Sequence, residues 1–427
     1  MKWVNFDFKL ANRHDRDKSK VSRMKHTIVS VVLLIIAPAL LSQTAFAGEE
    51  NIPDIAIHGF ISQGYMKATD DKEYMVYGAK EGTFQFNEIG INFSTQATET
   101  LRIGAQFLAF DLGHLGNDDI LVDWAFADFS YREYLGIRAG LIKIPYGIYN
   151  TTRDLDMLRT SIFLPAALYE EVYRDLVSRM KGVGIYGALP LGFYYQAAGG
   201  TAPFNIDGGF VDSFTDAIDV KPHVLRIGNT YTVGLQWVSP WNPFNLSSFR
   251  LASNYYITND IEIDGTYLTE NFFLYYTIEQ METVTGSIEI IYNDLILASE
   301  FSRIYTGGNV ASDLSVVYKI SMTGLRYYLS ASYRFTGWFQ LGAFWSVSYL
   351  DEDDKSGEKR AEEGLASDKP SDGYQKDLCI SLRFDINDNW LLKLETHMMN
   401  GTHNVLGEPI NDEKRWLFNA VKLTYSF

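Results

Sequence analysis

Val224 to Trp237 reads VLRIGNTYTVGLQW. One parity carries Leu225, Ile227, Tyr231, Val233, Leu235 and Trp237, broken only by Asn229, while the other carries Arg226, Gly228, Thr230, Thr232, Gly234 and Gln236. Successive side chains of a strand point to opposite faces, so the stretch is a strand with one apolar and one polar side. The same split returns from Leu325 to Phe335, from Leu101 to Phe107 and from Asp377 to Phe384. The fold class is therefore all-β and antiparallel.

Two environments produce such strands. A soluble sandwich buries the apolar face, whereas a transmembrane barrel turns that face to lipid and its polar face to the lumen. Strands of about 10 to 14 residues suit a tilted membrane crossing better than a sandwich. Aromatic residues gather near strand ends at Tyr131, Tyr134, Trp237, Trp241, Trp338 and Trp390, where interfacial girdles belong. Strands are expected near 55–66, 83–95, 100–111, 120–132, 135–144, 182–189, 192–200, 224–238, 247–258, 283–293, 294–305, 323–335, 338–350, 376–386, 389–399 and 416–427. About 16 is thus the expected number, with Asn271 to Thr277 read as the extracellular extension of its neighbour, and 18 follows if it is instead a separate strand and another is hidden. Short turns alternate with long connections at 68–82, 145–181, 201–223, 259–282, 306–322, 351–375 and 400–415.

Composition and charge narrow the function classes. The chain has 427 residues, 46% hydrophobic and 15% aromatic, which excludes low-hydrophobicity disorder. Thr27 to Leu41, TIVSVVLLIIAPALL, follows Arg23 and Lys25 and precedes Ala45-Phe46-Ala47, the pattern of an export signal cleaved after Ala47. Residues 1–47 are read as leader plus signal, with Met24 a more usual start than Met1, and 48–427 as the barrel. The leader holds eight Lys/Arg and three Asp/Glu, leaving 29 basic and 50 acidic residues and a net charge of −21. Such an acidic body does not suit nucleic acid. One Cys excludes a disulfide framework.

The chain stops on AVKLTYSF, with Val421, Leu423, Tyr425 and Phe427 on one parity. This ending resembles the signal by which Gram-negative outer-membrane barrels are recognised for insertion, which implies export and handling by the barrel assembly machinery. Residues 55–427 resemble a Gram-negative porin, nearest to the 16-stranded substrate-preferring type that includes phosphate-selective porins. The resemblance rests on His58-Gly59-Phe60, Phe86-Asn87-Glu88 and Leu141 to Thr160, LIKIPYGIYNTTRDLDMLRT. It implies a homotrimer among outer-membrane lipid and lipopolysaccharide, an inward-folded third loop, and a passive aqueous path for small hydrophilic solutes. No run of closely spaced lysines is present, so phosphate is not the expected solute.

If apolar parity meets lipid, the opposite parity lines the lumen with Arg102, Arg138, Arg226, Arg250, Arg326, Arg334, Arg383 and Lys393, joined by Lys422. The acidic residues assigned there are Glu289, Glu300, Asp377 and Glu395, about half as many. A charged, narrow throat concentrates counter-ions, so a mild preference for anionic or carboxylated solutes is expected. The long third loop, 145–181, is the expected constriction, and Ser161 to Met180 has the spacing of a short helix after Pro165. It mixes Arg153, Arg159, Arg174 and Arg179 with Asp154, Asp156, Glu170, Glu171 and Asp175. These charges either oppose the basic wall or pair among themselves to pin the loop.

Other chemistry is thin in the sequence. Mature His residues show no HxxxH spacing and no Cys partner, so no zinc centre and no cofactor are expected. An enzyme is not expected, because His58 and His397 fall on lumen parity rather than beside a lipid-facing Ser. The acidic stretches 116–119 and 351–354 read as solvated loops more readily than calcium sites. The rival to a pore is an adhesin, receptor or anchor with a closed lumen.

Overall fold

The computed structural model describes residues 54–427 apart from 114, 117, 204–210, 212–219, 243–244, 269–271, 314–316, 364–368 and 407–412. The expected leader and signal lie outside the described residues. No described helix is long and apolar enough to cross a membrane.

Seventeen strand segments run in chain order: β1 (Ile55–Ala68), β2 (Asn87–Gln96), β3 (Leu101–Asp111), β4 (Leu121–Arg132), β5 (Leu135–Lys143), β6 (Arg179–Leu189), β7 (Phe193–Thr201), β8 (Val220–Arg226), β9 (Thr230–Val238), β10 (Ser248–Tyr267), β11 (Phe273–Tyr292), β12 (Leu295–Ser312), β13 (Val317–Thr336), β14 (Phe339–Tyr349), β15 (Tyr374–Asp385), β16 (Trp390–Gly401) and β17 (Arg415–Ser426). Each pairs antiparallel with its neighbours, and β1 pairs with both β2 and β17, closing the sheet. β8 and β9 both pair with β10, where Arg226 lies opposite Glu262 and Thr230 opposite Thr258, so one register runs through both. They are one interrupted strand, and the barrel has sixteen.

The parity argument holds around most of the wall. Val183, Val233, Leu235, Leu329, Ile380 and Leu423 are exposed, whereas Thr230, Thr285, Ser302, Asp377, Lys393 and Lys422 are buried. This is the reverse of a soluble core. Tyr131, Tyr134, Trp241, Trp338 and Trp390 are exposed beside the short turns. At the seam, the Phe427 N–H donates to the Gly59 carbonyl at 3.0 Å and the Phe427 carbonyl accepts from the Gly59 N–H at 3.1 Å. A Cβ on Gly59 would lie 2.6 Å from the Phe427 ring, so this close approach requires glycine.

Three expectations are corrected. The stretches 259–282 and 306–322 are mostly strand, because β10 to β13 run 18 to 20 residues. Phe273 to Thr277 extends β11, as expected of that stretch, and is not a separate strand. The strand expected over 224–238 is broken at Ile227 to Asn229, opposite Asp260, whose φ of 54° is left-handed. Ser161 to Met180 is not one helix but single turns at Ala166–Tyr169, Glu171–Tyr173 and Arg174–Val177, and Arg179 already begins β6.

The break reverses the parity beyond it. On β10 the buried residues pass from Tyr256 and Thr258 to Ile261 and Ile263. Leu225 and Ile227 consequently pack on the buried cluster containing Ile261 and Ile263. Arg226 is turned to the outer face, 65% exposed, and bonds Glu262 at 2.5 Å. Its assignment to the lumen wall is therefore wrong.

Candidate functional site

The segment between β5 and β6, residues 144–178, is the longest connection within the described wall, and its contacts fall on three parts of that wall. Against β15, β16 and β17, Asp156 is the hub. Its carboxylate accepts from Lys422 at 2.8 Å and Thr424 at 2.9 Å, and pairs with Arg159 at 3.0 Å and Lys393 at 3.4 Å. Lys393 also donates to the Asp156 carbonyl at 2.8 Å and to the Ser161 carbonyl at 2.9 Å. Arg383 donates to the carbonyls of Met157 and Arg159 at 2.6 and 3.1 Å.

Against β10 to β13 the anchorage is more apolar. Leu168, Tyr169, Leu176 and Val177 are buried with Tyr256, Ile263, Met281 and Tyr328. Glu300 receives Tyr169 at 2.5 Å, Tyr328 at 2.7 Å, Ser287 at 2.5 Å and the amide of Ile148 at 2.9 Å. Arg326 pairs with Glu170 at 3.3 Å, and Tyr149 donates to Glu289 at 2.9 Å. Against β4 to β6, Lys143 bridges Asp154 at 2.6 Å and Asp123 at 2.9 Å, while Arg179 joins Asp123 to Asp175. Arg174 pairs with both Asp154 and Glu171, and Arg153 meets Glu171 at 2.9 Å. Every charged residue expected in the constriction loop thus has an ionic partner, some within the loop, as Arg153 with Glu171, and some on the wall, as Asp156 with Lys393 and Lys422.

Magnitudes divide the labour. Each large apolar side chain buried in the cluster contributes about 1.5–3 kcal/mol. The buried ion pairs add little net stability but cost about 3–5 kcal/mol when one partner is lost, so they fix the position of a loop that apolar contact holds down. Burial opposes the charge on Asp154, yet Arg174 and Lys143 beside it outweigh that and hold its carboxyl well below the usual range. The same contest, won by Lys393, Lys422 and Arg159, depresses Asp156. At Glu170 burial wins, and the carboxyl is raised despite Arg326. Burial also pushes Tyr146 up to about 12.

The eight basic wall residues separate into three groups. Arg326, Arg383 and Lys393 are buried against the loop, and Arg226 is outside. Arg102, Arg138, Arg250 and Arg334 keep side chains 48, 27, 21 and 33% exposed. Asp128 serves both Arg138, at 2.7 Å, and Arg102, at 3.4 Å, and accepts from Tyr186 at 2.5 Å. Asp385 likewise serves Arg334 at 2.8 Å and Arg383 at 2.7 Å. Arg250 pairs with Glu289 at 2.9 Å, whose other oxygen accepts from Tyr149. Sequence reasoning missed Asp123, Asp128, Asp385 and Glu88; cross-strand register counted from the short turns would have paired Asp128 with both Arg102 and Arg138. One group with metal-ligand chemistry also escaped it: Cys379, Glu395 and His397, whose ligand atoms lie within 4.8 Å of one another. The expectation of no metal centre rested on spacing along the chain, and these residues meet across β15 and β16.

No protein-family model matches the chain, and no curated protein matches it. Solved structures do. The chain is similar to OmpF of Salmonella typhi, in a complex with daunomycin, with a TM-score of 0.53 and 15% identity over 88% of this chain and 98% of that one. It is similar to an anion-selective porin from Comamonas acidovorans at a TM-score of 0.51 and 9% identity, covering 88% and 99%. It is also similar to OmpT of Vibrio cholerae in its trimer form, at a TM-score of 0.51 and 9% identity, again covering 88% and 99%. At these identities the likeness establishes the closed 16-stranded fold.

Proposed function

We propose that this chain is a porin of a Gram-negative outer membrane, a passive aqueous channel for small hydrophilic solutes. The observation that carries this reading is the inversion of burial: a closed wall exposes Val233, Leu235, Leu329 and Leu423 while burying Lys393, Lys422, Glu300 and Arg326. An exposed apolar band of that kind, edged by Trp and Tyr, is at rest only in lipid. Residues 1–47 then serve export, and Leu423, Tyr425 and Phe427 serve recognition by the barrel assembly machinery. Lipopolysaccharide and phospholipid surround the band, and three copies associate.

In this reading 144–178 folds inward and narrows the passage. The solute path runs past Arg102, Arg138, Arg250 and Arg334, whose side chains remain partly exposed. Two arginines share one aspartate at Asp128 and again at Asp385, so these clusters keep net positive charge and favour anionic solutes. The planar guanidinium fork suits carboxylates, which we take as the solute class. Purified protein in planar bilayers tests both levels. Steady conductance steps and a reversal potential of anionic sign in a salt gradient are expected. Clear cation preference contradicts the solute class, and absence of steps contradicts the pore in favour of an adhesin, receptor or anchor.

A further inference from the structure

We propose that Cys379, His397 and Glu395 form a binding site for a borderline-soft divalent cation of the zinc class on the inward face of β15 and β16. Cys379 and His397 are cross-strand partners, and Glu395 lies two residues before His397 on the same face. The thiol, a ring nitrogen and a carboxylate oxygen all fall within 4.8 Å of one another. Cys379 is 0%, His397 2% and Glu395 4% exposed.

The orientation of His397 argues for a ligand. Its Nδ1 lies 2.9 Å from Asp377 Oδ2 and 3.1 Å from Oδ1, so the ring donates there and Nε2 is aimed at Glu395 Oε1. A carboxylate fixing the far nitrogen of a histidine is the usual support of a metal-bound imidazole. Nε2 is buried and makes no hydrogen bond, although Glu395 Oε1 stands 2.7 Å off. A buried polar atom left without a bond is costly, and a cation among Nε2, Oε1 and the Cys379 sulfur removes that cost. Glu395 is held in turn by the loop, whose Ile162 amide donates to its other oxygen. Phe344 and Phe418 stand 5.9 and 5.4 Å from the imidazole and keep water out.

The donor set selects the metal. Thiolate and imidazole exclude calcium and magnesium, and three protein ligands at about 2.0–2.3 Å leave one open position on a tetrahedral ion. Cys379 coordinates as thiolate, so uptake of the cation releases the thiol proton to solvent. No electron transfer is involved.

The test uses folded full chain in detergent, stripped with chelator and titrated with Co²⁺. One equivalent should bind, with near-ultraviolet absorption from thiolate-to-cobalt charge transfer and the strong visible bands of a tetrahedral ion. Cys379 is the chain's single cysteine, so that absorption has one assignment. Zn²⁺ should displace the cobalt one for one. Cys379→Ser should abolish the charge-transfer band and weaken binding at least tenfold, and Asp377→Asn should weaken it about 10–100-fold while sparing the band. Absence of the band in the wild-type protein overturns the proposal whatever the variants do, as does equal cobalt uptake by Cys379→Ser.

Discussion

The half of the wall packed on the loop and the half beside the short turns are built from the same residue type on the same parity, yet their arginines and lysines differ. Lys393 and Lys422 are 1 and 2% exposed and converge on Asp156. Arg102 and Arg138 are partly exposed and share Asp128. A wall cation is buried where loop carbonyls and carboxylates consume its donors, and keeps a partly exposed side chain where no loop residue reaches it, as at Arg102 and Arg138.

The sharpest break of this comparison is Asp156→Ala. It strands Lys393 and Lys422 in a buried site, so a loss of about 3–5 kcal/mol of stability is expected, read as a lower unfolding temperature and noisy conductance. Unchanged stability would mean the loop is not held there. Next in size, Arg102→Ala combined with Arg138→Ala should lower the anion-to-cation permeability ratio several-fold with the barrel intact. An unaltered ratio would remove these residues from the solute path.

Acid should separate the loop's own anchors. Asp154 and Asp156 are depressed, so the stability they lend is present above ordinary carboxylate values and lost only as pH falls through their lower folded values. Glu170 is raised, so on acidification it takes up its proton first, within the window between its ordinary and raised values. That uptake loosens the Arg326 pair without lowering net stability, because the folded state binds the proton more tightly. Conductance should therefore change in mild acid while the unfolding temperature holds or rises slightly, and Glu170→Gln should abolish the response. The smallest effect is expected at Arg226→Ala, with unfolding temperature and selectivity both unchanged, since Arg226 is exposed on the outer face and its ion pair is screened by solvent.

Strand parity and the terminal strand were legible because a period of two survives wherever pairing is regular. Arg226 was misread because Asp260 takes a left-handed backbone and the strand lapses at Ile227 to Asn229, a local event that breaks the parity between the residues before and after it. The loop was visible as length and charge, but its partners were not. Asp156 meets Lys422 across 266 positions, and no local pattern encodes that. Asp123 was hidden by the register shift between Gln106 and Phe107, which turns it inward beside Arg179. The Cys379 group stayed invisible for a simpler reason, since its members sit on two strands.

The most direct measurement places single thiols along β9 in a Cys379→Ser background. Fluorophores at Val233→Cys and Leu235→Cys should be quenched by lipid-borne nitroxide, and one at Gln236→Cys by a water-soluble quencher. The opposite pattern, or quenching of all three from water, would contradict a wall that turns its apolar side to lipid.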